Sequence, residues 1–254
     1  MRLGGMSTGS PFLRDAARKP REPGIVVLDR IPVEECGEPI GDVREWCPGV
    51  LVNAPLPWLR ETVCRMVSEA AARMPGGVKM LVTTGMRTLE MQAAGYEAYT
   101  SHLRGEHPEW PKPVLHRQAN RFFHPPHAKC PPGHTTGGAV DVRLVDDEGR
   151  ELDMWSALLQ SGNSTWPTFS RRVTSEVREM RMTLYDAMLG VGFSNCWDEW
   201  WHYSYGDSGW AARLGKPMAV YGRYPEVCYP PEFVACVDEL RAAGQLTRLK
   251  PTMK

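Results

Sequence analysis

The 254-residue chain has no long apolar run. Its apolar stretches, such as residues 24–28 and 50–52, fall far short of the roughly 20 residues a bilayer-crossing helix requires. It also lacks a charge imbalance: Lys plus Arg and Asp plus Glu both number 30, a formal net charge of zero. The basic footprint that duplex nucleic acid or an anionic membrane surface demands is therefore missing, and neither is expected as a partner. Paired cysteine motifs are absent too. Seven scattered cysteines (36, 47, 64, 130, 196, 228, 236) are an odd set with no CxxC, which excludes a patterned disulfide scaffold and points to a reducing cytoplasm. The N-terminal MRLGGMSTGSPFLRDAARKPREP is basic but has no apolar core of about 7–15 residues, so it does not read as a secretory signal. Residues 1–24 are expected to be a flexible leader.

What is present is enough apolar sequence, 42 %, for one substantial core. Residues 25–56 alternate short apolar runs with Pro and Gly, a pattern of small strands and turns. A helix is expected from Pro57 to Met74, with Leu59, Val63, Met66, Val67 and Ala70 at helical spacing and Pro75-Gly76-Gly77 as its stop. Val78 to Thr83 reads as a strand, and Thr88 to Leu103 as a helix loosened near Gly95. Residues 105–133, rich in Pro, His and Arg, read as a long ordered loop. Ala139 to Val145 alternates as a strand, and residues 146–173 form a second irregular excursion. Thr174 to Leu189 has a clear helical stripe and Gly190 and Gly192 beyond its end. Residues 196–205 look strand-like, and Pro230-Pro231 opens a last helix. Without repeats or a βαβ rhythm, the pattern predicts an α+β fold.

Two short segments concentrate metal-ligand chemistry. One is Gly133-His134-Thr135-Thr136-Gly137-Gly138-Ala139-Val140-Asp141, the other Glu199-Trp200-Trp201-His202. A catalytic zinc takes three protein ligands and keeps a fourth position for water, and His134, Asp141 and His202 supply two imidazoles and a carboxylate. Gly137 and Gly138 allow the tight backbone path between the first two. Glu199 is the spare carboxylate, suited to proton transfer. In a regular strand, residues 199 and 202 face opposite sides, so both reaching one point implies a bulge, a strong twist or a strand end.

The pattern H-x-x-G-x-A-x-D followed by E-x-W-H resembles the D-alanyl-D-alanine peptidases that include the dipeptidases of vancomycin resistance. That family shares its fold with the hedgehog signalling domain. The resemblance covers about residues 45–205. It implies a hedgehog/DD-peptidase-like α+β fold, with a central, mainly antiparallel sheet and flanking helices. It further implies one Zn2+ per chain on His134, Asp141 and His202, with Glu199 as catalytic base. Gly85-Met86-Arg87 fits the family's G-Y-R segment, with Met for Tyr, and so implies Arg87 as the residue stabilising the oxyanion. On this reading residues 25–225 form the peptidase domain, and residues 226–254 a C-terminal helical extension packed on it. Trp201 and Thr135 are the substrate-binding candidates.

Two positions depart from the family. Pro132 stands where a Ser precedes the first zinc His by two residues, and Leu159 falls where an Asp holds the substrate's ammonium. The expected activity is hydrolysis of D-alanyl-D-alanine or a related D-amino-acid peptide in the bacterial cytoplasm. The alternatives are a zinc carboxypeptidase, endopeptidase or amidase acting on an N-blocked peptide, and a non-catalytic zinc-stabilised binding module. Residues 124–130 (His124, His127, Cys130) carry ligand-type side chains at a spacing that raises a second metal, against a rigid loop bordering the cleft.

Overall fold

The computed structural model describes residues 21–155 and 165–246. Leu159 and the stretch around it lie outside the described residues, as do residues 1–20 and 247–254. The elements in chain order are α1 (Ile25–Leu28), β1 (Ile40–Asp42), α2 (Val43–Trp46), β2 (Leu51–Val52), β3 (Trp58–Arg60), α3 (Glu61–Ala71), β4 (Lys79–Thr84), α4 (Leu89–Glu106), α5 (Lys112–Ala119), β5 (Ala139–Val145), α6 (Ser175–Leu189), β6 (Ser194–Asn195), β7 (His202–Ser204), α7 (Ser208–Leu214) and α8 (Pro231–Ala242). A five-stranded sheet runs in the order β2-β4-β5-β7-β6, and β1 pairs with β3 in a separate ribbon. Only the β2–β4 pairing is parallel; β4–β5, β5–β7 and β6–β7 are antiparallel. The fold is α+β with a mainly antiparallel sheet. No helix among the described residues is long and apolar enough to cross a membrane.

Alternation along β5 gives the sheet two unlike faces. Val140, Val142 and Leu144 join the main core with Val63, Met66 and Val67 of α3 and Leu184 and Met188 of α6. The helices thus cover one face, and Asp141 falls on the other. A smaller cluster unites Trp58, Met86 and Met91 with Phe233 and Val237 of α8. Phe233 is fully buried, edge-on to Trp58 at 5.6 Å between ring centroids.

Several elements differ from the sequence expectation. Trp58–Arg60 is not the first turn of a helix but a strand, because its backbone pairs with Ile40–Asp42 and α3 starts only at Glu61. Tertiary pairing overrides a local helical pattern here. The loop expected over 105–133 contains α5, which has Pro113 in its first turn and buries Leu115 and Ala119 against Leu103 of α4. Two buried positions in eight residues are too few to register as a periodic pattern. Helix α4 runs unbroken through Gly95, capped by the Thr88 side chain accepting from the Met91 amide. Of the strand expected over 196–205, His202–Ser204 alone is strand (β7); residues 196–201 form the turn that links it to β6, which lies just before that segment.

Candidate active site

The sheet register brings two of the metal-type side chains together. Asp141 on β5 lies directly opposite His202 on β7, and directly opposed residues of an antiparallel pair share a face. The turn before β7 resolves the parity problem of Glu199. The Glu199 amide donates to the Cys196 carbonyl at 3.1 Å and the His202 amide to the Glu199 carbonyl at 3.1 Å, so residues 196–201 do not alternate like a strand. Asn195 Nδ2 ties this turn down by donating to the His202 carbonyl at 3.0 Å.

His134 arrives from a single 3-10 turn, Gly133–Thr135, immediately before β5. Gly137 makes the connection with φ at +73°, and a Cβ on Gly138 would sit 2.5 Å from the Tyr205 carbonyl oxygen. Both positions of the Gly-Gly pair therefore require glycine. Arg60, fully buried, braces the same loop. Its amide donates to the Gly137 carbonyl at 3.0 Å and its Nε to the Thr136 carbonyl at 2.7 Å. Its fork is held by Glu35 at 2.8 and 2.9 Å.

The three ligand-type atoms converge. His202 Nδ1 is 2.9 Å from Asp141 Oδ1, His134 Nε2 is 3.3 Å from the same oxygen, and the two imidazole nitrogens are 3.1 Å apart. Among the described residues this is the one group of His, Cys, Asp and Glu side chains gathered tightly enough for an ion. A tetrahedral zinc with ligands at about 2.0–2.1 Å spaces them about 3.3 Å apart, close to these separations. His134 Nδ1 lies 2.8 Å from the Gly85 carbonyl, which can only accept. That fixes the proton on Nδ1 and leaves the Nε2 lone pair facing the cluster, as a metal ligand requires. Burial, helped by Arg87, pushes the His134 imidazole down to about 4, so it is neutral near pH 7. Burial opposes ionisation of Asp141, but His134 and His202 outweigh it and hold the carboxyl well below the usual range. This donor set fits a divalent metal of the zinc type.

Arg87 follows β4, with its amide donating to the His134 carbonyl at 3.0 Å. Its Nη2 is 3.8 Å from Asp141 Oδ2, and its Nη1 donates to Gln92 Oε1 at 3.3 Å. Burial lowers its pKa, opposed by the carboxylates of Asp141 and Glu199. Glu199, 8 % exposed, opens onto the same cavity of about 140 Å³ as Arg87, His134, Asp141 and His202. The five residues singled out in the sequence therefore share one space.

The substrate candidates lie elsewhere. Trp201 sits in the core, its ring 5.1 Å from that of Trp155 and 5.5 Å from that of Trp166. The Thr135 hydroxyl donates back to the Pro132 carbonyl at 2.8 Å. Neither is among the described residues lining the cavity; Pro132 is. Of the ligand-type residues in 124–130, His124 and Cys130 line the cavity while His127 is exposed, and among the described residues the three form no ligand set. The sequence reading missed one wall altogether. Glu22, Pro23, Ile25 and Leu28 line the cavity, and Glu22 is anchored by the Trp197 amide at 3.1 Å and by Arg213 Nε at 2.9 Å. No local pattern signals a contact spanning that much sequence.

Comparison with known proteins gives the class of molecule first. Residues 65–222 match the Peptidase_M15 family, described as D-Ala-D-Ala dipeptidase. That span exceeds half of the chain, which belongs to this peptidase family. A D-alanyl-D-alanine dipeptidase from Synechocystis is 25 % identical over 236 residues, covering 76 % of this chain and 94 % of its own. A solved structure of the LdcB LD-carboxypeptidase, analysed for peptidoglycan recognition, is similar at 18 % identity and a TM-score of 0.38. That likeness covers 72 % of this chain and 73 % of the other.

Proposed function

We propose that this chain hydrolyses D-alanyl-D-alanine, or a related short D-amino-acid peptide, with one zinc ion held by His134, Asp141 and His202. The single observation carrying the reading is that Glu199 and Arg87 share the cavity onto which those three side chains converge. A binding module stabilised by zinc has no need of a spare carboxylate and a buried guanidinium beside the ion. The cavity, about 140 Å³, is well below the ~300–1,000 Å³ of pockets for drug-sized ligands, which favours a short peptide. Seven unpaired thiols support a reducing, cytoplasmic setting.

Zinc bound there would supply Lewis-acid activation of water near neutral pH. The chain's own residues do the rest. Glu199 takes a proton from the attacking water and delivers it to the leaving amine. Arg87, fixed by Gln92 and its backbone bond to His134, presents a permanent positive charge to the oxygen that becomes negative as the peptide carbon turns tetrahedral. The Gly85 carbonyl keeps His134 in the tautomer that presents Nε2.

The test is turnover by purified protein with zinc. The wild type should release D-alanine from D-alanyl-D-alanine, and Glu199→Gln should lower kcat by about 10²–10⁴-fold while zinc stays at one per chain. Full activity in Glu199→Gln would remove the assigned base.

A further inference from the structure

The charges lining the cavity are unevenly matched. Glu22, Asp141, Glu199 and Asp207 contribute four carboxylates, against which stand three arginines. Arg87 lies 3.8 Å from Asp141, and Arg213 is bound to Glu22. The third, Arg121, forms no ion pair with any described residue, although Asp198 senses its charge. Its guanidinium rests 5.6 Å over the Phe122 ring. That ring packs edge-on against Tyr99 at 6.2 Å and Trp166 at 5.1 Å. An exposed arginine fork is thus held on an aromatic platform where it lines the cavity.

A peptide cleaved at its last bond brings a terminal carboxylate with it. The positive groups deeper in the site, Arg87 and the ion proposed above, are committed to the reaction centre, and Arg213 is taken up by Glu22, which leaves Arg121 as the cavity-lining guanidinium open to that group. We propose that Arg121 receives the C-terminal carboxylate of the substrate and so selects free-acid over amidated or extended peptides. The inference rests on the peptidase reading above and names a specificity residue within it. An arginine fork can meet a carboxylate through two parallel N–H···O bonds, which a lysine cannot do.

Binding, not turnover, separates this inference from the reading it rests on. The probe is the reduced analogue of D-alanyl-D-alanine, in which CH2–NH replaces the scissile amide, and its C-terminal carboxamide. Each is titrated calorimetrically into the zinc-loaded full chain. The wild type should bind the free acid about tenfold more tightly than the carboxamide. Arg121→Ala should bring that ratio to about one with carboxamide affinity unchanged, and Arg121→Lys should fall between. Because Arg121 is exposed, both variants should fold. A wild-type ratio of one, or an Arg121→Ala ratio equal to that of the wild type, overturns the assignment. Discrimination as expected in a protein that fails to hydrolyse D-alanyl-D-alanine would leave the carboxylate subsite standing and remove the proposed activity.

Discussion

At the scale of single residues, the site depends on a few backbone positions as much as on its charged groups. Gly137 adopts φ +73°, and a Cβ there would meet the Ile40 side chain at 3.3 Å. A non-glycine residue in the left-handed region costs about 1–2 kcal/mol. Gly137→Ala should therefore destabilise the chain by about that amount in urea unfolding, and should also weaken zinc retention against a chelator. Unchanged stability would mean that the loop carries no such demand. This much was legible in the sequence, because a Gly-Gly pair between a histidine and a strand aspartate has few other uses. Arg87 was legible only through the family resemblance, since an arginine ahead of a helix carries no local sign of burial. Glu22 was not legible, because its partners Trp197 and Arg213 are distant in the chain.

At the scale of elements, β5 was readable to the residue because both of its faces have work: apolar side chains toward α3 and α6, Asp141 toward the cavity. Long amphipathic helices such as α6 were readable for the same reason. Short elements were not. β3 carries a helical pattern and becomes a strand through pairing with β1, and α5 is too short to show a period. Arg60, at the end of β3, joins that ribbon to the loop of His134 through Thr136, Gly137 and Glu35. Glu35 is partly solvated and can stand alone, but the Thr136 carbonyl would lose its buried donor and the Glu38 carbonyl its partner, so Arg60→Ala should cost about 1–3 kcal/mol of unfolding free energy. A loss below about 1 kcal/mol in denaturant titration would show that the brace is dispensable.

At the scale of the whole molecule, the sheet gathers groups that the sequence scatters. Residues from the end of β4, the 3-10 turn before β5, β5 itself and the turn leading into β7 close around one point, while the N-terminal segment from Glu22 to Leu28 forms part of the wall. Family membership accounts for the peptidase class, and the donor set of His134, Asp141 and His202 fits the divalent ion proposed above. X-ray absorption at the zinc edge on dialysed, zinc-loaded protein tests that claim most directly. One zinc per chain is expected, with two imidazole nitrogens and carboxylate and solvent oxygens at about 2.0–2.2 Å, and with zinc lost in His134→Ala and His202→Ala. Zinc absent after dialysis, or bound with sulfur at about 2.3 Å from the cysteines, would contradict the account.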